Sequence, residues 1–388
     1  MTESIGPTTG PVQVAASLHN LIREHIVTID SERQLPPDLV EALRDSGLMH
    51  MNLPRSLGGE EIDPVTSARA VEEVSFADGS TGWCVMLAAQ AATFAGFMPH
   101  DAALDVWANR GIAAGVARPI GRAVKTETPE PGYRVTGPWP FASGSSHADW
   151  FGTESIVYDG DEPLLDDQGE PVIESLFVPR AAVTLFDTWD TLGLRGTASN
   201  DFAVDDLFTP LTHRVRLGEP PIDPWPVYRA PGLVYINHAS HALGIARAAI
   251  ESAKETAANK NAWGNQQKIR DLGSFHLAVA EAVALVESSR QYLYAVTEEL
   301  WQAVQRSDET PQLRARIRLA GSHAAKSSVR AVDSMHAALG TSSVFSSHPL
   351  DRQFRDIHTA AAHVMIGPLV FEAAGRVEVG LEADFPFF

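Results

Sequence analysis

A single cysteine, Cys84, in 388 residues rules out an internal disulfide and a cysteine-based metal cluster. Positive charge is also scarce: 30 Lys and Arg stand against 49 Asp and Glu, leaving a net charge of -19. Such a surface repels phosphate backbones and anionic headgroups, so neither nucleic acid nor a membrane is expected as partner. Long apolar runs are missing. The longest, residues 83–98, is interrupted by Gln90 and small residues and falls short of a bilayer span, so it reads as a buried helix. The first eleven residues hold no Lys or Arg and no apolar stretch follows them, which predicts no secretory signal and a cytoplasmic, soluble protein. No GxGxxG follows a strand, so a nicotinamide-binding βαβ unit is excluded and any reducing equivalents must arrive from outside.

What is present changes period twice. Leu18, Leu21, Ile22, Ile26 and Ile29 fall at helical spacing, Pro36-Pro37 opens a second helix, Asp63-Pro64 a third, and Asp78-Gly79-Ser80-Thr81 caps the apolar one. From 112 to 217 the period becomes two. Strands are predicted at 112–116, 133–136, 150–158, 173–179, 183–188 and 200–208, with a break at Gly137-Pro138. After a proline-rich link from Gly218 to Pro231, helices are expected at 233–260, 266–307, 311–340 and 351–381, the last broken at Gly367-Pro368. The fold class is α+β: an N-terminal α domain (1–111), a central antiparallel β domain (112–217) and a C-terminal four-helix bundle (218–388).

One stretch carries unusual chemistry. Residues 139–150, WPFASGSSHADW, put two tryptophans, three serines, a histidine and an aspartate around a turn almost without side-chain bulk. Read as a hairpin, its hydroxyls and backbone N–H groups can approach a flat heteroaromatic ring closely; an ordinary surface hairpin is the plainer alternative. His147 and Asp149 are placed to close it against each other.

The domain order, this stretch, the Trp189-Asp190-Thr191-Leu192-Gly193-Leu194-Arg195-Gly196-Thr197 turn and Phe354-Arg355-Asp356 together resemble the acyl-CoA dehydrogenase superfamily over essentially the whole chain. Asp78-Gly79-Ser80-Thr81-Gly82-Trp83, Ser143 to Trp150 and Arg355 to His363 are similar to its two-component flavin-dependent monooxygenase branch. That resemblance implies reduced flavin, FADH2 or FMNH2, and O2 as cofactors. It also implies a separate NAD(P)H:flavin reductase, a homotetramer, and hydroxylation of a phenolic or indole-type small molecule through a flavin hydroperoxide. The rivals are an acyl-CoA dehydrogenase and a catalytically silent flavin-binding assembly subunit.

Two demands separate the enzymes. Removing an α proton from a thioester needs a carboxylate base; the positions where the superfamily carries it, near 364 and within 235–244, hold no Asp or Glu. Oxygenation needs a dry pocket with neutral donors. His363, read on an Ala-lined helical face, is the candidate donor to the peroxide, and Ser143 matches the superfamily position beside flavin N5. Phe141, Trp139 and Ser145 are further candidates for flavin contact, with Arg355 and Arg270 for its phosphates. The ring of the substrate is expected against Trp83, Phe94, Phe97, Tyr235 and His238. His358, five residues before His363, is open to either pocket or solvent. No histidine follows on the helix after Trp83 to activate a phenol, which favours an electron-rich ring such as an indole.

Overall fold

The computed structural model describes residues 10–216, 219–262, 264, 266–385 and 388; the expected boundary at 217/218 lies outside them. The N-terminal periodicity becomes α1 (Pro11–Ser17), α2 (His19–Glu32), α3 (Pro37–Asp45), α4 (Pro64–Ala77), α5 (Gly79–Ala92) and α6 (His100–Trp107). The start signals act as expected. Asp63 accepts the N–H of Thr66 at 2.9 Å and Asp78 that of Thr81 at 2.8 Å, each satisfying an otherwise orphaned donor of the first turn. Helix α5 has apolar residues on all sides and is buried over most of its length, as a helix wedged between other layers must be.

The strands are β1 (Ala113–Thr126), β2 (Gly132–Ala142), β3 (Trp150–Asp159), β4 (Glu162–Pro163), β5 (Ile173–Pro179), β6 (Thr184–Phe186), β7 (Asn200–Pro210) and β8 (Arg214–Val215). They form one sheet in the order β6-β7-β2-β1-β3-β5-β8, with β4 on β3. Three expectations need correction. The sheet is mixed, because β1 and β3 run parallel. The 139–150 stretch is therefore no hairpin: β2 and β3 lie on opposite sides of β1, and the turn crosses its start, where Asp149 and Trp150 donate to the Ile112 carbonyl at 2.8 and 3.2 Å. Gly137-Pro138 does not end a strand either; β2 runs through it, absorbing the missing proline N–H in register shifts on either side. The sheet core centres on Trp139, Phe151 and Phe202, all fully buried.

The remaining helices are α7 (Gly232–Tyr235), α8 (Asn237–Asn259), α9 (Gly273–Arg306), α10 (Pro311–Leu339), α11 (Pro349–Ala361) and α12 (Pro368–Glu378). Helix α9 starts later than the expected 266. The last break falls earlier than Gly367, directly after Ala361, because Pro368 would clash with the carbonyl four residues back and so excludes α-helix across 364–368. His363 thus sits in extended backbone (φ -70°, ψ 135°) ahead of a short 3-10 turn. It is not on a helical face. Buried Glu72 of α4 ties the N-terminal layer to the bundle, receiving Arg247 of α8 at 2.7 Å, Arg290 of α9 at 2.8 Å and the Tyr294 hydroxyl. Among the described residues no single helix is long and apolar enough to cross a membrane.

Candidate active site

Trp83, one turn into α5, is the hub. Its ring lies edge-on to those of His238, His241 and His363, at centre distances of 5.4, 5.2 and 5.4 Å. His238 also stacks on His363 at 4.4 Å. The break after α11 is what brings His363 onto residues from the start of α8.

Hydrogen bonds assign the protons. His238 uses Nδ1 toward the Tyr235 carbonyl (3.1 Å) and His241 uses Nε2 toward that of Gly79 (2.8 Å), so each is a donor there and its other nitrogen is a bare, buried acceptor. His363 is the reverse: Nδ1 accepts the Met365 N–H at 3.3 Å, which leaves the proton on Nε2. That N–H makes no hydrogen bond among the described residues. Burial holds all three imidazoles neutral, lowering His241 and His363 to about 4 and His238 well below the usual histidine range.

The indole N–H of Trp83 points the other way and donates to Ser143 Oγ at 3.1 Å. Ser143 Oγ is 2.6 Å from Ser199 Oγ, which is 2.7 Å from Thr197 Oγ1, and Thr197 donates to the Leu194 carbonyl at 2.9 Å. This chain of hydroxyls fixes Ser143 from both sides. Beside it Phe141 stands 60% exposed in left-handed backbone (φ 65°), edge-on to Trp189 at 6.1 Å. A large bare aromatic next to a held hydroxyl is a surface that a flat heteroaromatic ring would cover.

The other predicted residues divide. Phe94 and Tyr235 line a cavity that also reaches Ser143. Trp139 does not reach it: the ring is fully buried, stacked on Phe202 at 5.2 Å, with its N–H given to the Glu154 carbonyl. Ser145 is equally committed, donating to the Ala198 carbonyl at 2.7 Å. Phe97 packs on Tyr228 at 6.0 Å, in the core rather than the cavity wall.

Arg355 is spent on structure. It holds Asp351 (2.9 Å), Asp30 (3.3 Å) and the Leu192 carbonyl (2.8 Å), locking α11 to α2 and the 189–197 turn. Gly193 is required there, since a Cβ would lie 2.1 Å from the Arg355 carbonyl. Arg270 is on the surface beside Asp271 at 3.6 Å. His358 pairs with Asp333 at 2.9 Å, away from the cluster. The His147–Asp149 pair is not made either: Asp149 takes Arg44 and the Ile112 N–H, both at 2.8 Å, while His147 Nδ1 is buried without a partner.

The comparisons agree with this architecture. Residues 12–98 match the family model "Acyl-CoA dehydrogenase, N-terminal domain" and residues 236–368 "Acyl-CoA dehydrogenase, C-terminal domain", together more than half of the chain. The chain belongs to the acyl-CoA dehydrogenase superfamily. Its superfamily relatives include the indole-3-acetate monooxygenase of Pseudomonas putida, 27% identical over 92% of this chain and 90% of that one. Another is the oxygenase component of the FADH(2)-dependent resorcinol hydroxylase of Rhizobium sp., 28% identical over 95% and 93%. Among solved structures, XiaF from Streptomyces sp. in complex with FADH2 and glycerol superposes with a TM-score of 0.86 at 26% identity, over 97% of this chain and 96% of that one.

Within this superfamily fold the cavity lies between α5 and the sheet. Leu87 and Gln90 come from α5, Phe94 from the 3-10 turn that follows it, residues 113–117 from β1, Gly152 and Glu154 from β3, Ser175 and Phe177 from β5. The two-residue period of the strands explains the set, because Gly152 pairs with Phe177 and Glu154 with Ser175 on one face. Four functional candidates escaped the sequence reading: Thr197, Ser199, Gln90 and Glu154. Glu154 had a signal, a carboxylate in the middle of an otherwise weakly polar strand; the hydroxyls are joined only by the fold.

Proposed function

We propose that this chain is the oxygenase component of a two-component flavin-dependent monooxygenase that hydroxylates an aromatic small molecule. The observation that carries the proposal is the neutral Nε2–H of His363, held in proton state by Met365 and braced by His238 and Trp83. It is an uncharged donor packed among aromatic rings, which oxygen chemistry needs and thioester chemistry does not. Monooxygenase relatives along the whole chain support the same reading.

The residues present fit the flat end of a flavin. Phe141 would pack on the ring, Ser143, whose proton goes to Ser199, would offer its remaining lone pair to an N–H on the ring edge, and His363 would present its proton from the bundle side. When bound, reduced flavin supplies the electrons that activate O2. The phosphate end is not assembled from Arg355, so we assign it to surface cations such as Arg270 reaching into a neighbouring subunit's site. Exposed Leu277 and Val283 on α9 support an assembly interface, for which we propose a homotetramer. The change from helix to strand at Ala113 and the return to helix at Gly232 support 1–111, 112–217 and 218–388 as domains, and we propose a cytoplasmic location.

One observation favours the rival dehydrogenase. Glu154 is a carboxylate in the cavity, lifted to about 7 by burial, and so a base by proton affinity. A single comparison decides. With reduced FAD or FMN from a separate reductase, O2 and an aromatic substrate, hydroxylated product is expected, and none with NAD(P)H alone. Bleaching of oxidised flavin on the protein by acyl-CoA thioesters, with no aromatic product, would overturn the proposal. Light scattering of a monomer at micromolar concentration would remove the tetramer and the shared phosphate site.

A further inference from the structure

The cavity between α5 and the sheet contains an acceptor that the hydroxylation chemistry described above does not use. Glu154 is 9% exposed, and among the described residues its carboxyl makes no hydrogen bond and no ion pair, although it lines the cavity that Ser143 and Tyr235 also line. A buried carboxyl in that condition is costly unless a ligand completes it. The Trp139 indole is tied to the backbone carbonyl of Glu154 at 2.8 Å, which fixes this point of β3. Across the cavity the Oε1 of Gln90 is buried with no hydrogen-bond partner among the described residues. Gln90 can turn its amide to offer either group, so it adapts to a ligand; Glu154, when ionised, can only accept.

The surroundings define what fits. Phe94 and Phe177, 5.7 Å apart edge to face, give an aromatic wall, and the stretch of β1 that lines the same cavity, Ala113-Ala114-Gly115, has almost no bulk. A lining of this kind suits a flat ring. Burial raises the carboxyl to about 7, and among the described residues no cation pairs with it. Arg318 lies over the ring of Tyr235 at 5.0 Å and is not part of the cavity wall.

We infer that Glu154 reads a hydrogen-bond donor on the ring of the substrate, so that this enzyme takes neutral or cationic aromatics bearing N–H or O–H and discriminates against ring acids. The inference rests on the aromatic-hydroxylation reading and narrows its substrate class. Glu154 is a binding residue in this role: it orients the ring by its donor edge. A ring carboxylate placed there would face an uncompensated like charge.

Equilibrium binding, free of turnover, tests this on the full-length protein at pH 8, where Glu154 is largely ionised. The probes are indole against 1-methylindole and resorcinol against 1,3-dimethoxybenzene, followed by quenching of tryptophan fluorescence or by calorimetry. The wild type is expected to hold each donor-bearing probe about tenfold or more tighter than its methylated partner, the range for a hydrogen bond to a charged group. Indole-3-acetate should bind more weakly than indole. In Glu154→Leu both preferences should collapse while 1-methylindole binds at least as well as before, and in Glu154→Gln the penalty on indole-3-acetate should shrink. Equal binding of methylated and unmethylated probes to the wild type would overturn the role of Glu154 and leave aromatic hydroxylation standing. If the wild type bound none of the four rings, the hydroxylation reading would fall first and this inference with it. The wild-type comparison needs no variant, so a Leu variant that fails to fold does not protect the idea.

Discussion

Two polar regions lie eight residues apart on the chain and are built on opposite principles. At the latch on α11, the adjacent pair Arg355 and Asp356 is engaged: Arg355 holds two carboxylates and a carbonyl, and Asp356 takes the Leu194 N–H at 2.6 Å. At the wall around His363, three imidazoles are neutral, ring-packed, and each leaves a nitrogen unused. Saturated polar contacts join layers. Unsaturated buried ones wait for a ligand, because an uncompensated polar group is retained against its own cost only where something else completes it. Arg355 and His363 looked like equal candidates in the sequence, and this distinction separates them.

The two regions should also respond to pH with opposite sign. Asp356 is raised to about 7, by burial first and then by Asp78, so its folded form binds protons more tightly than its unfolded form. Stability from this group is present in acid and is lost as pH rises toward 7. The histidines are lowered, so their folded forms bind protons less tightly, and their contribution is present above about 6.5 and is lost as pH falls toward 4.

The largest effect is expected from breaking the latch. Asp356→Ala strands the buried Leu194 N–H and removes the carboxylate that faces Arg352 and Arg355, and should cost about 3 kcal/mol in denaturant unfolding. Asp356→Asn keeps an acceptor without the charge. Its stability relative to wild type should climb between pH 4 and pH 8, and a flat difference would mean that the carboxyl is not held protonated.

Next comes His363. His363→Ala should leave flavin and substrate binding near normal but lower the yield of hydroxylated product per O2 consumed several-fold, the remainder appearing as H2O2. His363→Gln, whose amide N–H reaches the position of the imidazole Nε2–H, should restore part of that yield. Because the imidazole titrates near 4, the wild-type yield should be level from pH 6 to pH 8. A yield that tracks a midpoint near 6.5 would put the working proton elsewhere, and an unchanged yield in a stable Ala variant would remove His363 from the chemistry. Ser143→Ala should act more mildly on stability, by about 1 kcal/mol for the partners it leaves to Trp83 and Ser199, while weakening reduced-flavin binding. Unaltered flavin binding would show that Ser143 only braces Trp83.

Local signals made the elements legible. Asp63 and Asp78 capped the helices they were expected to cap, and proline placed several helix starts. Pairing was less legible, since a turn of small residues looks the same whether it closes a hairpin or crosses a neighbouring strand; what decided it was β1, whose length was hidden by Pro119 and Gly121 inside it. In the site, Ser143, Phe141 and Trp83 could be singled out because superfamily motifs carry them, and His238 only because it stands where the bundle was expected to face the substrate. Trp139, Ser145 and Phe97 looked equivalent by residue type, but only packing shows that their contacts are already taken. Thr197 and Ser199 depend on a contact across more than fifty residues, which no local pattern encodes.

The smallest expected effect is the most direct check on the contrast between latch and wall. His358 lies between them, on the last turns of α11, and its 2.9 Å pair with Asp333 is 37% exposed on the histidine side. An exposed pair of this kind is screened by solvent and loses side-chain freedom on forming, so His358→Ala should shift stability by no more than about 0.5 kcal/mol. The product yield per O2 should not move, because the imidazole points to α10 and shares no contact with Trp83, His238 or His241. If His358→Ala instead uncouples oxygen use as His363→Ala does, the wall must extend along α11, and saturation of polar contacts would no longer tell a joining residue from a working one.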